Sequence, residues 1–220
     1  MQGYVRLAGS LLLTLQLPGR PAPSNATGSV ELRLLDWLVE ALVNIRREER
    51  FFIDVAERYG LSIDITNREG RVVEERKLEG LKRFERLFDG LTAPAAAPAF
   101  IPWLEGAVVF WATEKVYFEA WSWAKRQAEG VAEREGDESV DADGGAMRKE
   151  FIPNWTNSEF VKFVDVLEVI VNEGVKEAVG EDEKKWEEVK TRAEGRWREL
   201  LDAEAAFWPV VETNAGTRVA

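Results

Sequence analysis

The stretch V-E-L-R-L-L-D-W-L-V-E-A-L-V-N-I-R-R-E-E-R-F-F-I-D-V-A-E-R-Y, residues 30–59, decides the fold class. Leu34, Leu38, Leu42, Ile45, Phe52, Ala56 and Tyr59 recur at intervals of three, four or seven, which puts them on one side of a helix. The spacing predicts a single helix over 30–59. Gly60 is its natural stop, because the left-handed residue that closes a helix is most readily a glycine. Before it, P-G-R-P-A-P-S-N-A-T-G-S at 18–29 consists of turn-formers and reads as a loop.

Helical patterning continues along the chain. A second helix is expected over 72–90, after a stretch at 61–70 that reads as extended or as a brief turn. T-A-P-A-A-A-P-A at 92–99 breaks it with two prolines. Residues 103–128 form the most apolar helix, apolar on most sides and therefore buried on most sides. The acidic, glycine-bearing 133–145 reads as a loop. A further helix carries Phe160, Phe163, Val164, Leu167, Ile170 and Val171 to about Val179, with Asn157 or Ser158 as its cap. A last helix over about 181–208 stops at Pro209. No strand pattern recurs with hairpin turns. The expectation is an all-α, single-domain multi-helix bundle. Its helical domain spans 30–211, with an N-terminal helix and loop at 1–29 packing on it and a tail at 212–220.

Composition narrows the chemistry. The 220 residues suffice for one large core, and the apolar content of 45% is that of a globular chain. A net charge of -11, from 29 basic and 40 acidic residues, argues against nucleic acid or an anionic membrane surface as a partner. There is no cysteine and no histidine. Disulfides, thiolate metal sites, cysteine nucleophiles and histidine ligands are thereby excluded, so no metal or cofactor is expected and acid–base work falls to carboxylates, Lys or Tyr. No run approaches a membrane span. G-S-L-L-L-T-L-Q-L at 9–17 is short for a signal peptide and is interrupted by Thr14 and Gln16, so the expected setting is cytoplasmic. P-loop, G-x-G-x-x-G, H-E-x-x-H and G-x-S-x-G motifs are all missing.

Two glutamates break their local pattern. Glu204, in L-D-A-E-A-A-F-W-P-V at 201–210, has Leu200, Leu201, Phe207 and Trp208 at three- and four-residue spacing. Glu114 is flanked in the same way by Phe110, Trp111, Tyr117, Phe118 and Trp121. Burial disfavours the charged form, so both carboxyls are expected to titrate high unless paired, which suits a general acid or base. The architectural explanation, a buried glutamate paired with arginine, is the commoner one; Arg46, Arg47 and Arg50 are available. Glu40, Asn44, Arg47 and Phe51 share one face of the long helix. That face reads as solvated or salt-bridged, with Glu40 and Asn44 looking into a pocket as the functional alternative. Glu48 and Glu49 lie beside the apolar stripe. Nine tryptophans supply core, or the flat walls that a planar heterocycle needs.

Three segments resemble the TenA-like (thiaminase II) family of the heme oxygenase-like fold, in its divergent fungal form. They are E-F at 159–160 within W-T-N-S-E-F, W-A-T-E-K-V-Y-F-E-A-W at 111–121, and E-A-A-F-W at 204–208. N-A-T-G-S-V followed by W-L-V-E-A-L at 25–42 adds a weaker match. The resemblance implies a heme oxygenase-like bundle that binds an aminopyrimidine or thiamin-related ring and hydrolyses it. It implies Glu204 as the acid–base carboxylate, Glu114 as a substitute for the cysteine of one subfamily, and Trp155 and Phe207 as aromatic walls. Trp111, Tyr117, Glu40 and Asn44 complete the candidate substrate contacts. It also implies a homo-oligomer. The chain departs from the family at Ala41 and Asn44, where an aspartate and a tyrosine are usual. The competing expectation is a catalytically inactive binding or assembly module of the same fold.

Overall fold

A computed structural model describes residues 2–15, 28–62, 72–92, 100–135, 141–209, 211–212 and 218–219. The fold is all-α. Its helices are α1 (Gln2–Leu15), α2 (Val30–Tyr59), α3 (Glu79–Thr92), α4 (Leu104–Glu135), α5 (Ile152–Thr156), α6 (Ser158–Val179) and α7 (Glu183–Phe207). Among the described residues the only strands are β1 (Val211–Glu212) and β2 (Arg218–Val219), an antiparallel pair of two residues each. Two compact units share the chain. The first comprises Met1–Gly19, Ile65–Val109 and Glu177–Ala220, and the second Arg20–Asp64 and Phe110–Lys176. The units are interleaved in sequence, and α4 starts in the first and continues in the second.

In the first unit α1 buries Tyr4, Leu7, Ala8, Leu11 and Leu15, an apolar stripe at helical spacing. It packs on α3, where the edge of the Tyr4 ring meets Phe88 and Arg6 pairs with Asp89. A side chain at Gly3 would press on the Phe88 ring at 3.0 Å. The contact between α3 and α7 is closer still. A Cβ at Gly80 would lie 2.3 Å from the Phe207 backbone nitrogen, so the two backbones approach as only glycine allows. Asp182 caps α7 by accepting from the backbone N–H groups of Lys184 and Lys185. Glu105, in the first turn of α4, accepts from Arg192 and Arg196 on α7.

The helix expected over 72–90 is shorter and shifted. Glu74–Arg76 form a separate 3-10 turn, and α3 starts at Glu79 and runs on to Thr92. Lys77 breaks the run: its backbone is extended, and its ammonium holds Glu74 at 3.0 Å and Glu85 at 2.8 Å. The helix expected to end near 128 also runs further, to Glu135. Most of 61–70 and the whole of 93–99 lie outside the described residues.

In the second unit α2 covers its expected span. Ser29 caps the start, accepting from the Leu32 N–H, and Gly60 closes the end at φ 64°. Leu34, Leu38 and Ala56 are fully buried, while Leu42, Ile45, Phe52 and Tyr59 are half-buried. Trp37 joins the core: its indole stacks on Phe163 at 4.5 Å and donates to the Phe163 carbonyl oxygen at 3.0 Å. The Asn157 side-chain oxygen accepts from the Phe160 N–H at 2.9 Å, which fixes the start of α6. Before α5, a π-helical turn at Met147–Phe151 carries Phe151 toward Trp155.

Candidate functional site

Glu204 sits in the last turns of α7, beside the fully buried Leu200 and Ala203, and is itself 4% exposed. One carboxyl oxygen, Oε2, accepts from the Trp208 indole N–H at 2.6 Å. The other, Oε1, is buried and has no hydrogen-bond partner among the described residues. Burial pushes the carboxyl up to about 7, and the Trp208 bond opposes this only in part. Among the described residues no arginine pairs with it, so the ion pair that the sequence made the commoner reading is not formed there. The Phe207 ring meets Phe84 of α3 edge-on at 5.8 Å and Trp208 at 5.9 Å. The indole that does touch Glu204 is that of Trp208, and the four-residue spacing was the signal that pointed to it.

The second unit holds Glu114, Trp111, Tyr117, Trp155, Glu40 and Asn44. Glu114, Trp111 and Tyr117 are half-buried on α4, Asn44 is half-buried on α2, and Glu40 is exposed. Tyr117 meets Trp155 edge-on at 5.4 Å, so these two candidates do come together. Glu204 and Phe207 belong to the first unit and Glu114 to the second.

Trp155 is a core residue. It is 1% exposed, and the rings of Trp121, Phe151, Phe51 and Phe52 surround it at 5.0–6.0 Å. Its indole N–H donates to Glu48 at 3.0 Å. Glu48, which lies beside the apolar stripe of α2, thus has an indole partner. It is half-buried, and desolvation raises its carboxyl, with the Trp155 bond and the Arg47 charge pulling the other way. Nothing in the local sequence signals this contact, because its two residues are 107 positions apart.

Two clefts open within single units. One, about 360 Å³, lies between α3 and α7 and is lined by Arg83, Arg86, Arg196, Glu199 and Asp202. Its guanidiniums are already engaged: Arg83 and Arg86 with Glu79, and Arg196 with Glu199. The other, about 610 Å³, runs along α2 past Val39, Val43, Arg46, Arg47 and Arg50. Glu204 lines neither. Among the described residues no group of three carboxylates or other ligands is placed to hold a metal ion. No helix among them is long and apolar enough to cross a membrane.

No family model matches the chain, and no solved structure matches it. It is similar to a protein of Fusarium pseudograminearum (strain CS3096) named "Probable transcription factor", at 26% identity over 199 residues. The match covers 78% of this chain and 36% of that protein, so the chain spans little more than a third of its relative's length.

Proposed function

We propose that this chain is an all-helical binding module for a small planar heterocycle, with Glu204 as the polar group that meets the ring. The observation that carries the reading is the Glu204 carboxyl, buried, with one oxygen held by Trp208 and the other without a partner. A neutral carboxylic acid that accepts the Trp208 bond on its carbonyl oxygen keeps its hydroxyl to donate to an acceptor such as the ring nitrogen of an aminopyrimidine. The resemblance of E-A-A-F-W to the TenA-like family supports the same ligand class. Hydrolysis is a further step, in which Glu204 would carry a proton to or from the ring and a second group, Glu114 by the resemblance, would take the other. The binding reading does not require it. Thermal shift with aminopyrimidines and thiamin, on wild type and Glu204→Gln, tests binding. A rise in melting temperature for wild type that shrinks in the variant is the expected result, and no shift in either protein rejects the reading. Assaying the same mixtures for hydrolysed product tests turnover separately.

A second reading rests on the relative's name: the chain is a helical regulatory module of a transcriptional regulator. Its net charge of -11 supports a part that does not itself touch DNA. Fused to an unrelated DNA-binding domain, the chain is then expected to change reporter output, while the chain alone leaves duplex DNA unshifted at physiological salt. An unchanged reporter counts against this reading.

A further inference from the structure

One side of α2 carries Asp36, Val39, Glu40, Val43, Arg47 and Arg50, all exposed. Val39 is 50% and Val43 63% exposed, and both line the groove along α2 together with Arg47, Arg50 and Asp54. From Asp36 to Arg50 the charges on this stripe are ordered: the acids precede Val43 and the arginines follow it, with the exposed Asp54 one turn beyond Arg50. Among the described residues none of Asp36, Glu40, Arg47 and Arg50 makes an ion pair, whereas Arg46 pairs with Glu49 on the flank. The four cannot pair with one another within the helix. Glu40 and Arg47 stand about 10 Å apart along the axis and Asp36 and Arg50 about 21 Å.

A second copy of the same helix, laid antiparallel about a two-fold axis at Val43, pairs them all. Arg50, seven residues beyond the axis, meets Asp36, seven before it. Arg47, four beyond, meets Glu40, three before, and Glu40 and Arg47 lie on the same flank of the stripe, as an antiparallel pair requires. The symmetry doubles each pair, and Val39 and Val43 of both copies fill the middle. A parallel arrangement would instead set arginine on arginine and acid on acid. The pattern therefore specifies the direction as well as the partner.

We propose that this face of α2 is a self-recognition surface through which two copies of the chain pair antiparallel at Val43. The proposal is independent of what Glu204 binds. A single pair of helices buries an area at the lower end of the range for specific interfaces, so the dimer is concentration-dependent.

Sedimentation equilibrium of the full chain over a concentration series tests it. Wild type is expected to show a monomer–dimer equilibrium. Val43→Asp, which puts two carboxylates on the axis, and Arg50→Glu each weaken it by about tenfold or more. Asp36→Arg combined with Arg50→Glu restores it, because both members of the pair are exchanged. All three positions are exposed, and circular dichroism verifies that helix content is kept. The absence of cysteine allows a second readout: Val43→Cys cross-links with a short bis-maleimide, while Leu13→Cys, 73% exposed on α1, does not. A wild type that stays monomeric throughout, a double exchange no better than Arg50→Glu alone, or equal cross-linking at positions 13 and 43 would overturn the proposal.

Discussion

Each unit contains a glutamate that accepts a hydrogen bond from a tryptophan indole, and the two differ in how they are built. In the first unit Glu204 and Trp208 are one helical turn apart on α7, and the carboxyl is nearly sealed from water. In the second, Glu48 of α2 and Trp155 of α5 are brought together by the tertiary fold, the indole is sealed and the carboxyl only half so. Desolvation raises both carboxyls. Glu48 has the Arg47 charge to oppose it, whereas Glu204 has the indole bond alone. In one pair, then, the carboxyl is the strained group and the tryptophan its support. In the other the tryptophan is the structural anchor and the carboxyl satisfies its N–H.

The largest expected difference lies in the tryptophans. Trp155→Ala removes a fully buried ring from the aromatic cluster and is expected to cost about 3–5 kcal/mol of stability. Trp208→Ala, at a half-buried position, costs distinctly less. Denaturant unfolding of both variants measures this, and equal costs would break the comparison.

Next comes the pH dependence of Glu204. Its folded pKa of about 7 lies above the ordinary 4.5, so the folded state holds an extra proton between those values. Stability from this group is fully present below about 4.5 and is lost as the pH rises through about 7. The loss is about 3 kcal/mol, at ~1.4 kcal/mol per pH unit. Glu204→Gln carries no such loss. The variant is expected to match wild type near pH 4.5 and to exceed its stability at pH 8, and parallel stability–pH curves for the two would contradict this.

A smaller change is expected for Trp208→Phe, which deletes the indole N–H and keeps the ring contact. It leaves the second carboxyl oxygen without its donor, costs roughly 1–2 kcal/mol, and moves the Glu204 titration further upward. The smallest effect sharpens the contrast: Arg47→Ala raises the titration of Glu48 and leaves that of Glu204 in place, as site-resolved NMR would show.

The features that proved legible in the sequence are local ones. The span of α2, its Gly60 stop, the Asn157 cap and the Glu204–Trp208 spacing all follow from residues within a turn or two of one another. What was not legible depends on distant partners. The Glu48–Trp155 contact, the approach at Gly80 that only a glycine permits, and the interleaving of the two units leave no periodic trace. The same limit explains the misplaced start of α3, where Lys77 and its two acidic partners override a good helical pattern. It also explains Trp155, which reads as a candidate stacking wall until the rings around it are seen.

The most direct test of the account is a carbon-13 NMR titration of the Glu204 side-chain carboxyl, assigned by its absence in Glu204→Gln. A buried carboxyl that among the described residues has one unpartnered oxygen and no cation beside it should titrate with a midpoint near 7. A midpoint near the ordinary 4.5 would mean that the group is solvated or paired, and would remove the basis for Glu204 as the polar anchor of a binding site.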